Sequence, residues 1–310
     1  MPDGNLFQQN TDLDIIALLI PFLTKKTFLD IGAAKGEFTR FFVRNGLKGT
    51  LFEPLPDCVS ELSDLAKNTE CVFSNYAIDD HDHKANFFHA FDKEDNDSQH
   101  FSSLYPLEND TRIYHKNIGE VQCRSLNSLV DEGFISSAIG VIKVDTEGND
   151  LNVLKGMDGI CAEILMCEYF MPKIYAGWEL SHPVNLIQQM NKMGFSQYIA
   201  VKRIGNIELV SFNKESFVDK EWGNLIFISN NIYEQAELII KNYIKTKENI
   251  FFDTILSQYS EMQDICDDRA AVIAELKEVA QERLALIEKL TAEIQLLSTK
   301  KSKWINKIIS

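Results

Sequence analysis

The sequence predicts an α/β fold, a mostly parallel sheet followed by one long helix. Short apolar runs alternate with helical patterns from residue 27 to about 229. One of those runs, in "FLDIGAAKGEF", ends on an acid and turns through two glycines toward a helix. From Tyr233 onward neither glycine nor proline occurs. Strand, helix, strand at this rhythm requires crossover connections, hence parallel neighbours.

Taken in order, residues 1–24 read as an N-terminal helical segment and residues 25–230 as the main domain. "TFLDI" is a buried strand, "EFTRFFVRNG" a helix closed by Gly46, "GTLFE" a second strand, "PDCVSELSDLAKN" a second helix and "CVFSNYAI" a third strand. Between Asp79 and Arg124 polar loops surround aromatic runs such as "ANFFHAF", so residues 80–124 read as an inserted hairpin or lid. Phe87, Phe88, Phe91 and Phe101 either roof an acceptor or pack that hairpin onto the sheet. The rhythm resumes with a helix at "LNSLVDEG", the strand "IGVIKVD", a helix at "DLNVLKGM", the strand "AEILMCEYF", a helix over Pro183 to Met193 and the strand "FSQYIAV". A hairpin of "NIELVSF" and "NLIFIS" closes the domain with antiparallel strands.

Residues 231–310 form the long helix. On a heptad frame Tyr259, Cys266, Ile273, Ala280, Ile287 and Ile294 take one seam position; Met262, Arg269, Leu276, Arg283, Leu290 and Leu297 take the other. This predicts a coiled coil and a homo-oligomer, although the two arginines and the alanine leave the number of strands unset.

The balance of 46 acids against 31 lysines and arginines, a formal charge of -15, repels a polyanion and argues against nucleic acid as partner. The basic end "KKSKWINKII" is the exception, either a peripheral contact with an anionic membrane or a frayed helix end. Six cysteines at irregular spacings, with no C-x-x-C pair, read as reduced thiols. No basic residue precedes Lys25, and the longest apolar stretch, Ile15 to Leu23, is broken by Pro21 and too short to span a bilayer. A cytoplasmic protein is expected.

Asp30 at a strand end and the turn from Gly32 to Gly36 before a helix place backbone N–H groups at the carboxyl edge of the sheet, where such folds bind ligands. A dinucleotide pattern begun at Gly32 needs glycine at positions 34 and 37, which hold Ala34 and Glu37; a Walker G-K-S/T triplet is absent. The acid, glycine, small residue and second glycine that remain suit S-adenosylmethionine, which carries a cationic amino-acid end and no phosphate. Glu53 lies 21 positions after Gly32, close to the spacing of about 20 at which a carboxylate meets ribose hydroxyls. A purely structural strand-to-helix bend is the competing reading of the turn alone.

"VQCRSLNSLVDEG" followed by "IGVIKVDTEGNDLNVLKGM", with "FLDIGAAKGEFT", "FEPLPD", "NYAI" and the acid of "CEYF", resembles the FkbM family of S-adenosylmethionine-dependent methyltransferases over roughly residues 25 to 230. The resemblance implies a class I, Rossmann-like, mostly parallel seven-stranded sheet. It implies that Asp30, Gly32, Ala33 and Gly36 shape the cofactor loop, that Glu53 takes the ribose, and that Asn75 to Ala77 follow the adenine edge. Asp145 and Glu147 would sit near the transferred methyl, Asp145 also as an anchor for the cofactor's amine. Lys143 would steady those acids. The chain departs from the family at Ala34, usually asparagine, and at Asn127, usually aspartate.

Asp145 is the first choice as base, Glu147 the second and Glu168 the reserve, against a structural role such as helix capping. The acceptor implied by the family is a sugar or glycan hydroxyl, with a small natural product or a peptide as the alternative. A coiled-coil scaffold that has lost the chemistry is a different class, opposed by intact Asp30, Gly32, Gly36, Glu53 and Asp145. His81, His83, His89 and His182 read as solvated or structural because "HDH" lacks the spacing of a zinc site, so no metal is assigned.

Overall fold

The computed structural model describes residues 11–108, 112–173, 175–204, 207–213 and 216–309. The strands are β1 (Thr27–Ile31), β2 (Lys48–Phe52), β3 (Val72–Ser74), β4 (Ala77–Ile78), β5 (His83–Asp92), β6 (Ile113–Arg124), β7 (Ala138–Val144), β8 (Cys161–Phe170), β9 (Gln197–Ile204), β10 (Ile207–Phe212) and β11 (Trp222–Ile228). The helices are α1 (Thr11–Leu19), α2 (Glu37–Arg44), α3 (Val59–Lys67), α4 (Leu126–Asp131), α5 (Asp150–Lys155), α6 (Pro183–Lys192) and α7 (Asn230–Ile309). Helix α1 falls within the expected N-terminal helical segment; residues 1–10 lie outside the described residues.

The main sheet has eight strands, not seven, in the order β10-β9-β11-β8-β7-β1-β2-β3. Strands β3, β2, β1, β7 and β8 run parallel, as expected. The closing strands differ from the expected pairing. β10 pairs with β9, while β11 inserts antiparallel between β9 and β8. The insertion has a physical basis: Leu225 and Phe227 join one core and Ile226 and Ile228 the other, so β11 is apolar on both sides and fits a central position better than an edge. The expected single strand "CVFSNYAI" also divides. Its halves β3 and β4 belong to different sheets, with exposed Asn75 between them, and β4 joins β6 and β5, the two strands that lie within residues 80–124, in a second, three-stranded sheet.

Alternation along β1 and β7 assembles two cores. Leu29, Ile31, Ile142 and Val144 face one, with Leu129 of α4, Val153 of α5 and Met190 of α6. Phe28 and Val141 face the other, with Ile15 and Leu19 of α1 and Phe42 of α2. The period of two in the sequence is thus the division between layers.

Contacts divide the chain into two units, Met1–Glu248 and Asn249–Ser310. The first includes the start of α7, where Ile232, Ala236, Ile240 and Ile244, spaced by four, are buried in the second core. The second unit is helix, with Tyr259, Met262, Ile273, Leu276 and Leu290 exposed along it. The side chains of Ile287, Ile294 and Leu297, and those of the basic end at residues 300–309, lie outside the described residues. No helix of the described residues is long and apolar enough to cross a membrane.

Candidate cofactor and active site

A pocket open to solvent lies at the carboxyl ends of β1, β2 and β7. Its floor is the turn after β1. Gly32 (φ +73°), Ala34 (φ +46°) and Gly36 (φ +77°) all take left-handed backbone conformations, which lets the chain reverse into α2 within five residues. The N–H groups of Gly32 and Ala33 both donate to the Phe52 carbonyl (3.0 Å each), that of Ala34 to Glu53 Oε2 (2.9 Å) and that of Gly36 to the Ala33 carbonyl (2.7 Å). These donors are consumed within the protein. The turn therefore offers them to no phosphate, which agrees with a cofactor lacking one.

Glu53 is buried on the pocket wall just past β2, its Oε2 receiving the Ala34 N–H and its Oε1 the Leu55 N–H (2.9 Å). Each carboxylate oxygen keeps further acceptor capacity. Burial pushes this carboxyl up, opposed by the two N–H groups and by Lys143. A desolvated acid held from behind and facing a pocket is suited to accept from a ligand's hydroxyl groups.

Lys143 on β7 is a buried cation set into this acid-rich corner, and Lys35 also borders the pocket. Its Nζ donates to the Gly32 carbonyl (2.6 Å) and lies 3.3 Å from both Asp30 Oδ1 and Asp145 Oδ2. Burial works against its charge, but Asp145 and Asp30 outweigh burial and hold its pKa above the ordinary lysine value. Asp30 is fully buried and also accepts from Thr39 Oγ1 (2.6 Å). It supports the turn from behind and does not line the pocket.

Beyond β7, Asp145, Thr146 and Glu147 border the pocket. Glu147 has φ +51°, its Oε2 accepts from the Tyr175 hydroxyl (2.6 Å), and its backbone carbonyl accepts from Ser103 Oγ (2.6 Å). Gly148 (φ +105°) lets the Tyr175 ring approach; a Cβ there would lie 3.0 Å from it. Glu168 and Asp150 are buried behind this edge, Asp150 Oδ1 accepting the Glu168 N–H (3.1 Å) and Oδ2 the Thr146 hydroxyl (2.9 Å). One oxygen from each of Asp145, Glu147 and Glu168 lies within 4.8 Å of the others, close enough to share a hard cation. Burial, then Asp145, push Glu147 well up; burial, then Glu147, do the same for Glu168; burial and Asp145 push Asp150 up to about 7.

The structure thus gathers Gly32, Ala33, Glu53, Ala77, Asp145 and Glu147 around one pocket, and leaves Asp30, Gly36, Asn75 and Glu168 outside its lining. Tyr76 and Ile78 line it beside Ala77, while Phe87, His100, Ser102 and Leu104 of the insertion wall it. These insertion residues have no local signature in the sequence. Of the four phenylalanines singled out there, only Phe87 reaches the pocket; Phe88 stacks on His115 and Phe91 on Tyr114.

A family model described as the methyltransferase FkbM domain matches residues 30–196, more than half of the chain, and the chain belongs to that family. It is a methyltransferase-family protein whose cofactor is S-adenosylmethionine. No protein of curated function matches the sequence. Among solved structures the chain is similar to precorrin-6y C5,15-methyltransferase from Geobacter metallireducens (TM-score 0.39, 8% identity, 73% of this chain and 92% of that one). It is also similar to magnesium protoporphyrin IX methyltransferase from Synechocystis with bound SAM (TM-score 0.37, 8% identity, 71% and 79%) and to N-methyltransferase NodS from Bradyrhizobium japonicum (TM-score 0.37, 10% identity, 73% and 98%). Likeness at this level says nothing about substrate.

Proposed function

We propose that the protein methylates a hydroxyl group of a sugar or glycan. The observation that carries the reading is Asp145: at the rim of the cofactor pocket, its side chain 32% exposed and paired with Lys143, it is an acid open to an acceptor beside the buried Glu168 and Asp150. S-adenosylmethionine, when bound, supplies an activated methyl group for in-line displacement. The protein's share is alignment, which can be worth about 7–11 kcal/mol, and removal of the acceptor proton, worth roughly 10² to 10⁴ in rate. Glu53 holds the ribose end, the Gly32 turn shapes the floor, and Asp145 accepts the hydroxyl proton or anchors the cofactor's amine. Glu147, fixed by Tyr175, is the second candidate base; Glu168, enclosed behind both, is the third. His100 and Ser102 on the facing wall give a polar acceptor hydrogen-bonding partners.

Transfer of label from S-adenosylmethionine to a panel of glycans, small natural products and peptides tests the assignment. Methylation of a glycan hydroxyl that falls at least about 100-fold in Asp145→Asn supports it; labelling confined to small molecules or peptides favours the alternative acceptor. Cofactor binding without transfer to any acceptor favours a scaffold. A chelator arm asks whether Asp145, Glu147 and Glu168 act around a cation. The exposed stripe of α7 is further proposed to pair with a second copy of the chain, and its basic end to meet an anionic membrane surface.

A further inference from the structure

The insertion brings together three side chains that the sequence keeps far apart. In the register of the small sheet Cys123 of β6 is the Cα partner of both Ala77 of β4 and His83 of β5. Asp79 follows β4 directly, held by its N–H to the Arg124 carbonyl (2.9 Å). One ligand atom from each of Asp79, His83 and Cys123 lies within 4.8 Å of the others. Asp79 and Cys123 are buried and the His83 ring is partly open to solvent.

The tautomer of His83 decides what this cluster can hold. Its Nδ1 lies 3.0 Å from the His81 carbonyl oxygen, which can only accept, so Nδ1 carries the hydrogen. In the neutral ring Nε2 then bears a lone pair, and it faces Asp79 Oδ2 at 3.6 Å. Two acceptors then converge with a thiol whose S–H is the one hydrogen among the three ligand atoms. An N–H to carbonyl bond on the far ring nitrogen is the support that metal-bound histidines use. Zinc bonds of about 2.0 Å to nitrogen and oxygen would set two tetrahedral ligand atoms roughly 3.3 Å apart, so the His83 and Asp79 atoms, at 3.6 Å, need to close by only a few tenths of an ångström. Without a metal, burial and the neighbouring Asp79 push the Cys123 thiol up to about 12, only partly offset by the Ala85 N–H that faces its sulfur, so a thiolate there requires a cation.

We propose that Asp79, His83 and Cys123 form a site for one zinc ion, with carboxylate, imidazole and thiolate ligands and a fourth position open to water on the His83 side. On binding, the Cys123 thiol releases its proton to solvent as the metal–sulfur bond forms. The site would tie the start of the insertion to β4, whose Ala77 and Ile78 line the cofactor pocket, and so stiffen one pocket wall.

The test uses the full chain, stripped with chelator and titrated with Zn²⁺ and with Co²⁺ as a spectroscopic stand-in. The expected result is one equivalent bound, a tetrahedral cobalt spectrum with thiolate-to-metal charge transfer, and affinity at least about tenfold weaker in both Cys123→Ser and His83→Gln. Removing the exposed thiols in Cys161→Ser/Cys266→Ser should leave the spectrum intact. Should Cys123→Ser fail to fold, His83→Gln, checked by circular dichroism, carries the comparison. An absent charge-transfer band, as expected if His83 merely pairs as a cation with Asp79, overturns the proposal. Binding unchanged in His83→Gln does so too.

Discussion

Gly32 stands so close to Asp145 that a Cβ added to it would lie 1.8 Å from the Asp145 backbone carbonyl oxygen. The glycine is therefore required by the contact between the β1 turn and the end of β7, independently of any ligand. Gly36, with the same sign of φ, would meet the far ends of side chains rather than backbone, Leu65 at 2.6 Å and Leu62 at 3.1 Å. Gly32→Ala is expected to cost about 2–4 kcal/mol, and Gly36→Ala clearly less. Urea denaturation of the two variants compares them; equal losses would show that φ, and not the Asp145 contact, sets the requirement.

Lys143→Met should be costly for a different reason. It strands fully buried Asp30 without its cation, and breaking a buried pair from one side costs about 3–5 kcal/mol. Adding Asp30→Asn should recover part of that loss, since an amide oxygen can still accept from Thr39. A double variant no more stable than Lys143→Met alone would show that the lysine acts through the Gly32 carbonyl instead.

The raised carboxyls give the stability a defined pH dependence. Asp150 is pushed up to about 7 and Glu147 and Glu168 well above the usual range, so the folded state binds more protons than the unfolded chain between about pH 4 and 7. Stability of the cofactor-free protein should then fall as pH rises through that window, by on the order of 1 kcal/mol per pH unit for each such group. Glu168→Gln should flatten the slope. Stability rising across the same window would show that the acids are held as anions.

Much of the site was legible because its signals are local. The period-two strands, the turn from Gly32 to Gly36 and the 21-residue step to Glu53 each lie within one supersecondary unit, and the pocket forms where they end. Strand order was less legible. An apolar strand such as β11 fits the centre of a sheet at several positions, and only packing against β8 and β9 selects one. The break at Asn75 was hidden in a run that reads as continuous. The wall contributed by Phe87, His100, Ser102 and Leu104, and the meeting of His83 with Cys123, depend on pairing of strands some 40 residues apart. The alternation in "HKANFFHAFD" was the available signal for that hairpin.

The proposed self-association rests on the exposed apolar residues of α7 from Tyr259 to Leu290. Because Ile232, Ala236, Ile240 and Ile244 are buried in the main core, the informative comparison is with a chain ending at Glu248 rather than at the start of the helix. Light scattering should give a mass above the monomer for the full chain and a monomer for the shorter one. Two monomers would argue against pairing through the helix.

Calorimetric titration of S-adenosylmethionine into the wild type and Glu53→Gln bears most directly on the pocket, since glutamine keeps one acceptor for the backbone but removes the charge. Loss of charged hydrogen bonds to the ribose predicts affinity weaker by about 10- to 100-fold in the variant. The same affinity in both proteins would contradict the assignment of this corner as the cofactor site.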